Sequence, residues 1–192
     1  MAMDNTDYAI VGRDQDDPFN ANRLRSGIAV LRREDVSTSG LGSTSGTMYL
    51  TFFTATDRLT STQVAVPSGG TAAAATPTLV RFGLYAVDGI GNLTLIASTV
   101  NDTTVFAAAN TYYSKSWSSP VTVHKGQRYA LGVLVVSAAA MPQFAGLSTS
   151  FIVAATAPRI CGQVVSQSDL PSSVAVGSVA NIGNLVYGEL RP

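Results

Sequence analysis

The chain is dominated by short runs in which apolar and polar residues alternate. The clearest run covers residues 79–87, with Val80, Phe82, Leu84 and Ala86 on one face and Arg81, Gly83 and Tyr85 on the other. A period of two is typical of a β-strand, whose successive side chains point to opposite faces. Residues 88–92 supply two glycines and an asparagine for a tight turn, and residues 93–99 resume the strand pattern. The segment therefore predicts an antiparallel hairpin.

Seven other segments are rich in β-branched and aromatic residues and end at glycine, proline or polar turn residues. They are residues 48–55, 60–66, 111–117, 121–124, 127–137, 160–167 and 185–190. No segment carries a helical period long enough to compete with this pattern. Short, closely spaced strands predict an all-β protein, an antiparallel β-sandwich of jelly-roll type with little helix.

The strand predicted at residues 127–137 is apolar on both faces. One face consists of Tyr129, Leu131, Val133 and Val135, and the other of Ala130, Leu134 and Val136. An antiparallel sandwich normally exposes its outer face to water, so something must cover the second face of this strand. This cover is either a loop of the same chain, at residues 72–75 or 107–109, or another subunit, and the sequence favours neither.

Charged residues are concentrated near the N-terminus. The chain has 12 basic and 12 acidic residues, and half of these 24 lie within residues 1–35. We therefore divide the chain into a charged arm at residues 1–36, a flexible Ser/Gly-rich linker at 37–47 and a β-sandwich domain at 48–192. Leu24, Ile28 and Leu31 recur at helical spacing and predict a short helix in the arm. The alternative is an extended arm that becomes ordered only when it binds a partner.

The remaining composition excludes several function classes. A formal net charge of zero provides no electrostatic footprint for nucleic acid or an anionic membrane surface. Cys161 has no second cysteine to pair with, and His124 has no neighbouring metal ligands or catalytic partners, so we expect no cofactor, no metal and no enzymatic activity. Residues 14–17, Asp-Gln-Asp-Asp, lack the glycine and glutamate of a calcium loop and are interpreted as a solvated or partner-binding acidic turn.

Two further patterns concern location. The longest apolar stretch, near residues 129–140, is shorter than the roughly 20 residues that a membrane-spanning helix needs, which predicts no membrane insertion. The first residues carry Asp4 where a signal peptide would carry basic residues, which predicts a protein that is not secreted.

A cluster of aromatic residues is the best candidate for a binding surface. Tyr112, Tyr113 and Trp117 lie close together, and a strand would place Tyr113, Lys115 and Trp117 on one face. Flat rings beside a hydrogen-bond donor suit stacking on a sugar. The alternative is that these rings fill the core or a subunit interface, which is the more common environment of tryptophan.

Several stretches between about residues 33 and 165 resemble a β-sandwich domain found in minor tail proteins of phages that infect actinobacteria. They read REDVSTSGLG at 33–42, MYLTFFTA at 48–55, GGTAAAATPTLVRFGLY at 69–85, GNLTLIAST at 91–99 and KGQRYALGV at 125–133. The resemblance implies a structural virion protein, commonly a homotrimer, whose sandwich contacts other phage proteins and host-surface carbohydrate.

The chain departs from that family because it is little more than the domain and an arm. This organisation also fits a capsid decoration protein, whose arm would lie along the major capsid protein. In either case we expect the arm to attach the chain to the particle. The candidate anchoring residues are Arg13, Arg23, Leu24, Arg25, Ile28, Leu31, Arg32 and Arg33.

Overall fold

A computed structural model describes residues 27–32, 35–73, 77–150, 152 and 156–192. Their strands are β1 (Ile28–Ala29), β2 (Ser37–Leu41), β3 (Thr47–Thr54), β4 (Leu59–Pro67), β5 (Leu79–Val87), β6 (Leu93–Ser98), β7 (Tyr112–Val123), β8 (Arg128–Val136), β9 (Phe144–Ser148), β10 (Cys161–Val164), β11 (Ser173–Val174), β12 (Asn184–Val186) and β13 (Glu189–Arg191). One 3₁₀ turn covers Val176–Ser178. The described residues are 50% strand and 3% helix, so the fold is all-β, as predicted.

The strands form three antiparallel sheets. A six-stranded sheet has the order β10-β3-β8-β5-β6-β11, a four-stranded sheet has the order β1-β13-β4-β7, and a three-stranded sheet has the order β12-β9-β2. The prediction of an antiparallel sandwich is therefore confirmed, whereas jelly-roll connectivity stays a prediction.

The main core lies between the six-stranded sheet and the two smaller sheets. Leu84 and Val133 of the six-stranded sheet, Val64 of the four-stranded sheet and Phe144 of the three-stranded sheet belong to one buried cluster. Phe106, from the loop before β7, packs at its centre, with its ring 5.9 Å from that of Phe82 and 5.2 Å from that of Phe144. Burying each of these large side chains contributes about 1.5–3 kcal/mol, so this layer carries much of the stability.

The second apolar face of β8 is covered by the chain itself. Residues Leu170, Val174 and Val179, from the segment that follows β10, pack in one cluster with Ala130 and Leu134 of β8. The two loops considered above do not supply this cover in the part of the chain that the structure describes: Ala107 and Ala108, for example, are exposed. The apolar face therefore gives no reason to invoke a second subunit, and an oligomer stays a prediction.

The covering segment is held by specific contacts to β5. Nη1 of Arg81 donates to both carboxylate oxygens of Asp169, at 2.7 and 2.9 Å. The buried Tyr85 hydroxyl donates to the Pro171 carbonyl at 3.1 Å. The Tyr85 ring fits because Gly83 and Gly132 face each other on β5 and β8, and a Cβ at either glycine would lie 3.0 Å from that ring.

The hairpin of β5 and β6 is confirmed, with the predicted turn. The Asp88 carboxylate accepts backbone N–H bonds from Ile90 at 3.0 Å and Asn92 at 2.8 Å, and Gly91 adopts a φ of +97°. These contacts close the turn. The turn thereby sets which residues of β5 and β6 pair with each other.

Two strand boundaries differ from the predictions. The two strands predicted at residues 111–117 and 121–124 are one strand, β7, which covers Tyr112–Val123. It bulges opposite β4 and thereby accommodates Pro120 at the open edge of the sheet. Residues 185–190 instead form two strands in different sheets. The chain passes between them at Gly188, where a Cβ would lie 2.2 Å from the end of the Leu131 side chain, so a larger residue would require that buried side chain to shift.

The prediction of a flexible linker at residues 37–47 is wrong for its first half. Ser37–Leu41 form β2, which pairs with β9, and Leu41 is buried against the main core. The remaining residues are also fixed, since the Gly46 N–H donates to the Val135 carbonyl at 2.9 Å. Small polar residues can form a strand here because partner strands satisfy their backbone groups.

The predicted helix in the arm is wrong where the structure describes it. Ile28 and Ala29 form β1, which pairs with β13, and Ile28 is buried. Leu31 packs partly against the main core, whereas Leu24 lies outside the described residues. The end of the arm nearest the sandwich is therefore part of the four-stranded sheet.

Candidate functional site

The aromatic side chains of β7 point to the predicted sides, but most of that surface is core. Trp117 is 5% exposed, and its indole N–H donates to the Ser61 hydroxyl at 3.0 Å. The Tyr113 ring packs edge-on against Phe106 with 5.5 Å between the ring centroids, and the Tyr113 hydroxyl accepts from the Ala108 N–H at 2.8 Å. Trp117 therefore offers no exposed face on which a sugar could stack, and the half-buried Tyr113 ring is engaged by the core.

Tyr112, on the opposite side of β7, lines a surface groove of about 500 Å³. Tyr112 is 39% exposed, and the Arg191 guanidinium lies over its ring at 4.8 Å from the centroid. The same guanidinium donates to the Tyr112 hydroxyl at 3.0 Å. The groove also includes Asn110 and Tyr187, so polar groups surround a partly exposed ring.

The charge at this groove is balanced within the chain. Arg191 forms an ion pair with the buried Glu189 carboxylate at 3.0 Å, and the Tyr187 hydroxyl donates to the same carboxylate. Burial, reinforced by the neighbouring Glu189, raises the pKa of the Tyr112 hydroxyl. Tyr112 therefore stays neutral at physiological pH, and the groove is suited to hydrogen bonding rather than to proton transfer.

A second depression, of about 470 Å³, lies on the outer side of the six-stranded sheet. Arg128 and Arg159 line it, and the Arg128 guanidinium lies 5.0 Å from the centroid of the Phe52 ring. Arg128 donates to the Arg159 carbonyl, and Arg159 donates to the Val179 carbonyl. We call this depression the arginine pocket.

Sequence reasoning missed the arginine pocket for a clear reason. Arg128 and Arg159 are isolated basic residues, 31 positions apart. Only the pairing of β10 and β8 with the same strand, β3, brings the two arginines to one surface. No local sequence motif predicts such a pair of arginines.

Neither Cys161 nor His124 lies in a surrounding that would make it catalytic. Cys161 is buried, its thiol donates to the Ile182 carbonyl at 2.8 Å, and burial raises the pKa of the thiol to about 11. The thiol is therefore protonated at neutral pH and is a poor nucleophile. His124 is exposed in the turn between β7 and β8. Within the described ranges, no three His, Cys, Asp or Glu side chains are grouped so that they could hold a metal ion.

The structure describes three of the candidate anchoring residues. Ile28 and Leu31 contact the core, and Arg32 is exposed. The other candidates lie outside the described residues: Arg13, Arg23, Leu24, Arg25 and Arg33. Particle contact by the arm therefore stays a prediction.

Comparison with known proteins adds no relative. No protein-family model matches the chain, and no curated protein matches it. Among the described residues, no helix is long and apolar enough to cross a membrane.

Proposed function

We propose that this chain is a non-enzymatic structural protein of a phage particle, a β-sandwich attached to the tail through its N-terminal segment. The resemblance of residues 33–165 to tail-protein sandwiches is the starting point of the proposal. The all-β sandwich and the buried, protonated thiol of Cys161 are compatible with a structural role.

The observation that carries the proposal is the way the charged segment joins the sandwich. The chain enters the four-stranded sheet at its edge through β1, and Ile28 and Val30 are each only 7% exposed. Half of the chain's 24 charged residues precede residue 36. A charge-rich segment fixed to the edge of a charge-poor sandwich supports attachment to a larger assembly.

Contact with a host glycan requires a different surface from the one expected. Trp117 and Tyr113 are committed to internal packing, so the Tyr112 groove is the remaining aromatic surface on β7. The Tyr112 ring is partly exposed and has polar neighbours. It supports weak carbohydrate contact at the part of the ring that Arg191 does not cover.

A capsid decoration protein is the second candidate. The internal position of Trp117 favours it, because a protein that stabilises the head by added interface needs no stacking surface. In this case the N-terminal segment would lie along the major capsid protein.

Immunogold electron microscopy of intact particles tests the proposal. Antibody against the sandwich should label the tail, whereas label over the head would favour the decoration protein. Absence of label from purified particles would contradict both candidates.

A truncation tests the role of the N-terminal segment. Removal of residues 1–26 should abolish incorporation into particles, while the buried Ile28 and Val30 are kept. The matched control is the full chain with Lys125→Gln, which alters one exposed charge of the sandwich and should still be incorporated. Normal incorporation of the truncated chain would contradict attachment through this segment.

A further inference from the structure

The arginine pocket holds two guanidinium groups that form no ion pair with a carboxylate of the described residues. Three other cations of the sandwich have carboxylate partners: Arg81 pairs with Asp169, Lys115 with Asp102, and Arg191 with Glu189. For Arg128 and Arg159, no carboxylate among the described residues lies within ion-pair distance. Burial and the neighbouring charge of Arg159 lower the pKa of the Arg128 guanidinium, as expected for two like charges held together.

The guanidinium groups are held in place before any ligand arrives. Arg128 lies over the Phe52 ring and donates to the Arg159 carbonyl, while Arg159 donates to the Val179 carbonyl. A guanidinium has five N–H donors, so each retains donors for an anion after its backbone contact. Donors fixed in advance lose less conformational entropy when they bind a carboxylate.

The rim of the pocket is apolar. Ile90 is 74% exposed and Val176 is 39% exposed, and both line the depression. Asp88 also lines it, but its carboxylate accepts bonds from Asn92 and from the backbone of its own turn. The pocket therefore suits an occupant that carries carboxylates next to an apolar side chain.

The chain itself contains such a segment. Residues 14–19 read Asp-Gln-Asp-Asp-Pro-Phe, with three carboxylates and an aromatic ring and no basic residue among them. They lie outside the described residues. The charges complement each other over the whole chain. Residues 1–36 contain seven acidic and five basic residues, residues 37–192 contain five acidic and seven basic residues, and the total is zero.

We propose that residues 14–19 of one copy of this chain dock into the arginine pocket of a second copy. The carboxylates of Asp16 and Asp17 would pair with Arg128 and Arg159, and Phe19 would contact the apolar rim.

A second copy is favoured by the position of the arm. Gly27 lies against Leu190 and Arg191 in the four-stranded sheet, whereas the pocket opens on the outer side of the six-stranded sheet. The eight residues from Phe19 to Gly27 span at most about 28 Å and would have to pass around the edge of the sandwich. This inference goes beyond the proposed function and does not rest on it, because it concerns the purified protein.

Sedimentation of the purified full-length chain over a range of concentrations tests the proposal. The wild-type chain should self-associate, and association should weaken at high salt because the contact depends on charge. The pocket variant Arg128→Gln with Arg159→Gln, and the arm variant Asp16→Asn with Asp17→Asn, should each raise the dissociation constant at least about tenfold.

Matched controls separate a local contact from a general charge effect. Arg58→Gln with Lys125→Gln removes two exposed positive charges outside the pocket, and Asp4→Asn with Asp7→Asn removes two carboxylates from another part of the arm. Both control variants should associate like the wild-type chain. Circular dichroism and a thermal unfolding curve should show that the pocket variant folds, and Arg159→Gln alone is the fallback variant if the double variant does not.

Mixing the two variants provides the decisive test. The pocket variant has an intact arm and the arm variant has an intact pocket, so a mixture should form pairs that neither variant forms alone. Equal association of either variant and the wild type would overturn the proposal, as would a wild-type chain that is monomeric at every concentration. Loss of association in the pocket variant alone would also overturn it and would point to a different anionic partner.

Discussion

At the scale of single residues, Asp102 is a carboxylate whose pKa is strongly lowered by its hydrogen-bond donors. It accepts hydrogen bonds from Lys115, from the Thr104 hydroxyl at 2.6 Å and from the Thr104 N–H at 2.9 Å. These donors, Lys115 above all, lower the pKa of Asp102 from 3.8 to about 2. A folded-state pKa below the unfolded value means that the ionised carboxylate stabilises the fold above about pH 4, and that this contribution is lost as the pH falls towards about 2.

We therefore expect Lys115→Met to reduce the free energy of unfolding by up to about 1 kcal/mol near neutral pH, since the pair is partly exposed to solvent. The difference from the wild-type chain should shrink as the pH falls below about 4 and should vanish below about pH 2. Urea unfolding at several pH values measures it, with Lys125→Met as a control for removal of an exposed lysine. A difference that is the same at both ends of the pH range would show that the loss comes from packing rather than from the charge on Asp102.

At the scale of elements, β7 shows how one strand can look like a binding surface and yet carry the core. Trp117 and Tyr113 sit on its inner side, where Trp117 also satisfies the buried Ser61 hydroxyl. We expect Trp117→Ala to lower the free energy of unfolding by about 3–5 kcal/mol, because it removes a large buried ring and leaves a cavity.

Tyr112→Ala is the matched comparison on the same strand, since Tyr112 is 39% exposed. Its cost should be clearly smaller than that of Trp117→Ala in chemical denaturation of the two variants. If Trp117→Ala left the stability unchanged while it altered ligand binding, the internal role of Trp117 would be refuted.

The elements also show how much of this fold the sequence pattern could predict. The hairpin of β5 and β6 was predictable because its strands alternate cleanly and Asp88 and Gly91 define the turn. Both apolar faces of β8 were predictable because the segment is apolar at almost every position. By contrast, β2 consists of small polar residues and buries only Leu41 among the side chains described, so its sequence resembles a linker. Its strand structure depends on β9, a partner about a hundred residues away.

The cover of β8 was unpredictable for a different physical reason. Leu170, Val174 and Val179 are separated by four and five residues in a mostly irregular segment, so their pattern has neither a helical nor a strand period. The arginine pocket likewise depends on contacts between distant strands. Sequence pattern therefore predicts elements with regular periods, and it misses contacts that the tertiary fold alone creates.

At the scale of the whole molecule, the boundary between arm and sandwich lies earlier in the chain than composition indicates. Ile28 and Val30 are buried in the main core, and the Val30 N–H donates to the Gly188 carbonyl at 2.9 Å. β1 also covers the edge of β13, which would otherwise expose unpaired backbone groups. The sandwich as a folding unit therefore includes residues 28–30 and does not begin at residue 48.

Two truncations test this boundary. Removal of residues 1–26 should leave the denaturation midpoint close to that of the full chain. Removal of residues 1–36 should lower the free energy of unfolding by at least about 3 kcal/mol, because it deletes two buried aliphatic side chains and exposes the edge of β13. Attachment to a particle should be tested with the shorter deletion for the same reason. The longer deletion also destabilises the fold, so a loss of incorporation could not be attributed to the missing arm. Equal stability of the two truncated chains would show that β1 contributes nothing to the sandwich and would return the boundary to the region after residue 36.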